Sequence, residues 1–234
     1  MAWTDTNSIT NKYEGYTPDQ YITKIRSKIR ESEASFVTDA DIIEILNDGR
    51  RELARDLLIF IKWATYNDVD EDFNGIAEFP ADLISHAHIE EMRWNNSVID
   101  YFNHWDANID LTVAGEPSSC YLYNGSYLLF YPTSSSANPN IQIKYYSYPT
   151  DLTEAGSNED HDEIPKYFET YIVDKTVGEI YRRRQDVEKA EYYESKAKQE
   201  ISAVNNSKYN NKVDRPNIYV QGNGRSRSSI TGYS

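Results

Sequence analysis

His86 and His88 alternate with Glu90, so a strand through them would set two imidazoles and a carboxylate on one face. That donor set suits zinc or a similar transition metal. No further His or Cys nearby offers a fourth ligand, and an exposed polar strand face accounts for the pattern more simply. Asp70-x-Asp72-x-Asn74-Gly75 matches the opening of a calcium loop. The match fails at Ala81, which stands where a bidentate Glu belongs, with Pro80 before it. An acidic approach to an Asn-Gly turn is the better reading. Gly222-x-Gly224 lies in a polar stretch with no strand before it, so it makes no phosphate loop. The run Arg182-Arg183-Arg184 could meet phosphate, but its place near a helix C-terminus suits the helix dipole equally well. No nucleophile elbow and no Cys/His pair occurs, and carboxylate pairs are too abundant in an acidic chain to mark a glycosidase-type site. No catalytic residue, metal ligand or cofactor is therefore expected.

The elements that would carry these residues can be read from periodicity. Residues 1–16 are polar and aperiodic, and read as a loose N-terminal arm. Pro18 opens a helix to about Glu31, with Ile22, Ile25 and Ile29 on one face. Thr38 caps a second helix with Asp41 completing the capping box, and its apolar stripe (Ile42, Ile45, Leu46, Leu53, Leu57, Ile61) runs to about Trp63. Gly49 falls on that stripe, where it would admit a close helix neighbour at some cost in helix stability. Prolines and Asn-Gly pairs then punctuate short runs. Tyr121–Tyr123, Asn124-Gly125-Ser126 and Tyr127–Tyr131 predict a β-hairpin, and Ile141–Tyr145 alternates as a strand does. Pro165 begins a third helix to about Arg184, and Asp186 caps a fourth whose apolar face ends at Val204. The predicted fold is α+β: a discontinuous four-helix scaffold (17–64 and 164–204), a central antiparallel Tyr-rich β insertion (65–163) and an extended C-terminal arm (205–234). The two helix pairs should pack together, because neither can bury its stripe alone.

Composition narrows the function. The chain has 234 residues and a formal charge of −14, with 20 Tyr and one Cys. Cys120 alone permits no internal disulfide. Met1–Asp5 lack the basic start and apolar stretch of a secretory signal, and no apolar run approaches the roughly 18 residues of a membrane span. Folding in a reducing cytosol, or at least without reliance on oxidation, and no membrane partner are expected. The charge is unevenly placed. Residues 65–164 carry a net −16, the flanking helical segments are near neutral, and 204–234 carry +4. An acidic surface does not grip nucleic acid, because phosphate contacts need Lys and Arg. Candidate members of a DNA-repelling surface are Asp68, Asp70, Glu71, Asp72, Glu159, Asp160, Asp162 and Glu163. The basic tail, with Lys208, Tyr209, Lys212, Arg215, Ile218, Tyr219, Arg225 and Arg227, is a candidate partner-binding arm.

Several phrases then resemble a known family. Thr38–Asn47 (TDADIIEILN), the Pro-x-Asp step within Glu78–Ile84, Gly125–Pro132 (GSYLLFYP), Ile141–Tyr148 (IQIKYYSY), Glu163–Phe168 and Asp186–Tyr193 are similar, in order and spacing across about residues 17–204, to the head–tail connector (adaptor, or head-completion) proteins of tailed double-stranded DNA phages. The resemblance implies a structural virion protein at the neck. It implies a commonly dodecameric homo-oligomeric ring between the portal protein and an adjacent tail or neck protein, with double-stranded DNA passing through unbound. It implies no catalysis, and an arm that reaches a neighbouring protein. Two other readings stand beside it: a tail-associated β module that binds glycan or protein through its tyrosines, and, less favoured, a carboxylate-pair hydrolase. Deleting residues 205–234 is expected to leave the melting temperature unchanged while co-sedimentation with the partner is lost, because the segment has no apolar periodicity; global unfolding would contradict that expectation.

Overall fold

The computed structural model describes residues 2–8, 15–30, 36–67, 75–104, 110, 112–133, 140–153 and 162–210. Four α-helices and eight strands are described, in the order β1 (Ala2–Ser8), α1 (Pro18–Ile29), α2 (Asp39–Leu57), β2 (Ile61–Asn67), β3 (Ile76–Glu78), β4 (Ile89–Trp94), β5 (Ser97–Phe102), β6 (Ser119–Tyr123), β7 (Tyr127–Tyr131), β8 (Ile141–Tyr146), α3 (Glu169–Arg183) and α4 (Val187–Asn210). The fold is α+β.

Local chemistry fixes the helix starts. Thr17 and Gln20 form a reciprocal capping box ahead of Pro18, and Thr38 and Asp41 form another ahead of α2. The Asp186 carboxylate accepts from Lys189 N at 3.3 Å at the start of α4. The four helices share one core, in which Tyr21, Ile25 and Ile29 of α1 meet Ile42, Leu46 and Leu53 of α2, Ile172, Val177 and Ile180 of α3, and Ala190 and Ala197 of α4. The helices from the two ends of the sequence thus bury one another's stripes, as expected.

The strands form one sheet in the order β1-β2-β8-β4-β5-β6-β7-β3. β5 is the joint. Its first half pairs with β4 through Met92↔Ile99, and its second half with β6 through Tyr101↔Cys120. Ala64 and Tyr66 from β2, Ala77 from β3, Met92 and Trp94 from β4, Leu128 and Phe130 from β7, and Ile141, Ile143 and Tyr145 from β8 lie in one apolar cluster. The sheet therefore curls about its own core, and Trp94 on β4 meets Phe130 on β7 at 5.5 Å between ring centroids. The predicted hairpin is present, with Asn124 and Gly125 at φ 50° and 71° and Tyr123 paired with Tyr127. A second tight turn, Asn95-Asn96 at φ 46° and 67°, joins β4 to β5.

Four expectations change. The sheet is mixed and not purely antiparallel, because β5 and β6 run parallel; the long connection from 103 to 118 lets the chain return in the same direction. Residues 2–8 pair with β2 as an edge strand despite their polar, aperiodic sequence, since a strand ladder is made by backbone hydrogen bonds. Helix α2 ends at Leu57, where Leu58 caps it at φ 48°, and Ile61–Asn67 is a strand. Ile61 lies four residues after Leu57 and so stays in phase with the helical stripe, which is why periodicity overran the true end. Helix α4 continues to Asn210, so Lys208 and Tyr209 belong to its backbone and a truncation that tests the arm alone begins at 211.

Two helical glycines differ in what surrounds them. A Cβ on Gly49 would meet the Lys175 Cγ at an ordinary 3.6 Å, whereas one on Gly178 would stand 3.2 Å from the Glu194 Cγ and 3.4 Å from the Ala190 carbonyl oxygen. Gly49→Ala should stabilise by about 0.5–1 kcal/mol through helix propensity. Gly178→Val should destabilise by about 1–3 kcal/mol, because α3 and α4 must part to admit it. Thermal melts followed by circular dichroism check both; a lower melting temperature for Gly49→Ala would show that α2 and α3 pack more closely than described.

Candidate functional site

Arg50 is the lone cation within the apolar stripe of α2, between Leu46 and Leu53, and only 1% of it is exposed. A guanidinium in that position cannot lose its charge and must find partners. It finds Asp162, 2% exposed, with N–O distances of 3.1 Å from Nε and 2.7 Å from Nη2 to Oδ1. The Tyr21 hydroxyl donates to the other carboxylate oxygen at 2.9 Å, and Ile164 N donates to Oδ1 at 3.0 Å. Burial, then the adjacent carboxylate, hold the Tyr21 phenol far above its usual range, so it remains a donor. The backbone closes the joint: Gly15 N donates to the Asp162 carbonyl, and Asp162 N to the Tyr16 carbonyl, both at 3.1 Å. Gly15 is required here, since a Cβ would lie 2.7 Å from the Ile164 carbonyl oxygen.

The same guanidinium reaches the other side of the loop. Arg50 Nη1 donates to the Asn47 side-chain oxygen at 2.7 Å and to the Thr150 carbonyl at 2.9 Å. Asn47 in turn accepts from Leu152 N and donates to the Leu152 carbonyl. Thr150 also donates its hydroxyl to Glu163 at 3.0 Å. One side chain on α2 therefore ties down both feet of the acidic segment 154–161, where the chain leaves the sheet and where it enters α3.

Two further carboxylates set the frame. Asp174, fully buried on α3, pairs with Lys28 of α1 and with Lys196 of α4, the latter at 3.1 Å. Asp82, in the Pro-x-Asp step, accepts from Lys62 of β2 at 3.1 Å and from the Tyr145 hydroxyl of β8 at 2.7 Å.

Of the expected acidic surface, Glu163 is exposed and Asp162 is not. Asp162 is corrected from surface carboxylate to buried anchor, because Arg50 supplies a countercharge that draws it into the core. Asp68, Asp70, Glu71, Asp72, Glu159 and Asp160 lie outside the described residues. So do Lys212, Arg215, Ile218, Tyr219, Arg225 and Arg227 of the arm. The candidate His86/His88/Glu90 face does not form. His86–His88 is a turn of 3-10 helix capped by Ser85, and Glu90 is engaged by Lys144 and the Tyr146 hydroxyl, each at 2.7 Å. Burial and this carboxylate raise the Tyr146 phenol to about 12. Among the described residues no group of three His, Cys, Asp or Glu side chains could hold a metal ion, and no helix is long and apolar enough to cross a membrane. The Arg182–Arg184 run is occupied within the fold: Arg182 pairs with Glu179 and Glu194, and Arg184 stacks over Phe36 at 4.5 Å from the ring centroid.

Sequence reasoning missed the Arg50 joint. Half of its signal was visible, since a lone charge on an apolar helical stripe demands a buried partner. Asp162 was one acid among many and carried no mark of its own.

A family model described as SU10 adaptor protein matches residues 16–220. No curated protein matches the chain.

Removing one member of the joint leaves the other buried and unpaired. Arg50→Met and Asp162→Asn should each destabilise by about 3–5 kcal/mol. The double variant should lose less than the two singles added, by at least about 1 kcal/mol. Urea unfolding measures all three; additive losses would show that the pair does not act as a unit.

Proposed function

The chain belongs to the SU10 adaptor protein family, structural head–tail adaptors of phage, and from that premise we propose that it assembles as a closed homo-oligomeric ring in the virion neck. In this reading the ring, of the dodecameric kind common to connectors, sits between the portal protein and the next tail or neck protein and leaves a channel for double-stranded DNA. The observation that carries the reading is the extent of the family match, which covers the helical core and all but the first strand of the sheet.

The charge distribution supports it. A channel that passes DNA without holding it needs a wall that offers no phosphate contacts, and the net −16 of residues 65–164 supplies such a wall. Asp68, Asp70, Glu71, Asp72, Glu159, Asp160 and Glu163 are the carboxylates assigned to it. Asp162, held by Arg50, anchors the chain just after the segment that carries two of them. The four helices form the body of each subunit, and the basic segment beyond α4 offers Lys212, Arg215, Arg225 and Arg227 to a neighbouring protein surface.

Mass photometry of the purified chain, alone and mixed with its portal, tests assembly. A single large species of regular stoichiometry, alone or on the portal, is expected. A chain that stays monomeric and leaves the portal mass unchanged overturns the proposal.

A further inference from the structure

Glu169, the first residue of α3, is a second carboxylate beside the Arg50 joint. Only 3% of it is exposed. Its Oε1 is buried and, among the described residues, has no hydrogen-bond partner. The Tyr16 hydroxyl donates to the carboxylate. Tyr16 itself accepts from the Lys24 ammonium, whose Nζ lies 4.1 Å from the ring centroid. Tyr16 also meets Tyr21 edge-on at 5.3 Å between centroids. Tyr21 in turn donates to Asp162. Two carboxylates thus sit against one pair of tyrosines, each bonded to one of them.

Their countercharges differ. Asp162 has the buried Arg50 guanidinium in direct contact. Glu169 feels Lys24 from α1 and the exposed Lys166 from the turn before α3, both acting through space. Burial opposes its negative charge most strongly, and the charge of Asp162 adds to that. Against these stand the Tyr16 hydroxyl and the two lysines. Burial prevails, and the Glu169 carboxyl is held above the ordinary glutamate value.

We propose that Glu169 is a pH-sensitive latch on this joint: as a carboxylic acid it fastens the start of α3 against residues 15–16 and 162, and as a carboxylate it sets a second negative charge beside Asp162 and loosens them. The contacts at stake are the paired backbone bonds from Gly15 N to the Asp162 carbonyl and from Asp162 N to the Tyr16 carbonyl. They close the chain where it enters α1 and where the acidic segment 154–161 ends. A group whose folded value exceeds its unfolded one contributes fully below the unfolded value, here 4.5. That contribution is lost as pH rises through the folded value. Asp41, Glu90 and Asp186, whose carboxyls are lowered by their hydrogen-bond partners, act in the opposite sense. The latch is therefore read as a difference between the wild-type chain and Glu169→Gln, which keeps the shape and cannot ionise.

The test melts both full-length chains from about pH 4 to about pH 8. Glu169→Gln should match wild type at the acid end and melt higher at the alkaline end, with a gap that widens as pH rises. Amide hydrogen exchange, corrected for its intrinsic pH dependence, locates the effect. In wild type the amides of Gly15, Asp162 and Ile164 should lose protection between the acid and alkaline ends, and in Glu169→Gln they should keep it. Equal melting at every pH overturns the latch. So does a variant that melts lower at the alkaline end, because the carboxylate would then be stabilising at the start of α3. A widening gap with unchanged exchange at residues 15, 162 and 164 also overturns it, since Glu169 would then act elsewhere than on the joint.

Discussion

A guanidinium and a carboxylate taken out of water cost several kcal/mol each, and each can remain charged only if the other is in place. Arg50 and Asp162 meet that condition across 112 residues of sequence. Much else follows from it. Arg50 stays within the stripe of α2 because Asp162 neutralises it, and Asp162 stays in the core because Arg50, Tyr21 and the Ile164 amide fill its lone pairs. The backbone at 15–16 is drawn to the same point, which sets α1 against α3. Asn47 and Thr150 extend the joint to the exit of the sheet. The helical core and the curled sheet, two separate apolar clusters, are thereby held in register by a small polar hub.

That hub also explains how an acidic protein can be both strongly charged and ordered. A net charge of −14 repels itself. The helical part avoids the cost by pairing its charges across helices, as Asp174 does with Lys28 and Lys196. The sheet unit keeps its excess, and Arg50 and Asn47 hold the residues on either side of 154–161, namely Thr150, Leu152 and Asp162. Segregation of charge lets one chain combine a helical body of paired charges with a sheet unit that keeps a net negative charge.

Much of this was legible in the residues. A capping box announced α2, Asp186 announced α4, and Asn124-Gly125 announced the β6–β7 hairpin. The helices were right where an apolar stripe met a capping residue. They were wrong where stripe and strand shared a phase, at Leu57 and Ile61, because a helical repeat of four and an alternating repeat of two coincide over one turn. The Asn95-Asn96 turn carries a signal of its own: two residues tolerant of positive φ between apolar runs. β1 offered none, since its pairing is made by backbone atoms that every sequence carries. Of the candidate site, the grouping of acids and the basic tail were visible as composition. The burial of Asp162 was not, because the residue that buries it lies at the far end of the sheet unit in sequence.

The central claim is that this chain forms a ring in the phage neck with the acidic segments of the sheet unit turned to the DNA path. Cryo-electron microscopy of assembled particles, averaged on the junction between portal and tail, tests it most directly. The account predicts a closed ring of this fold against the portal, with the 154–161 segment on the channel wall and the helices outside it. A neck without this chain, or a ring in which that segment faces solvent away from the channel, would contradict it.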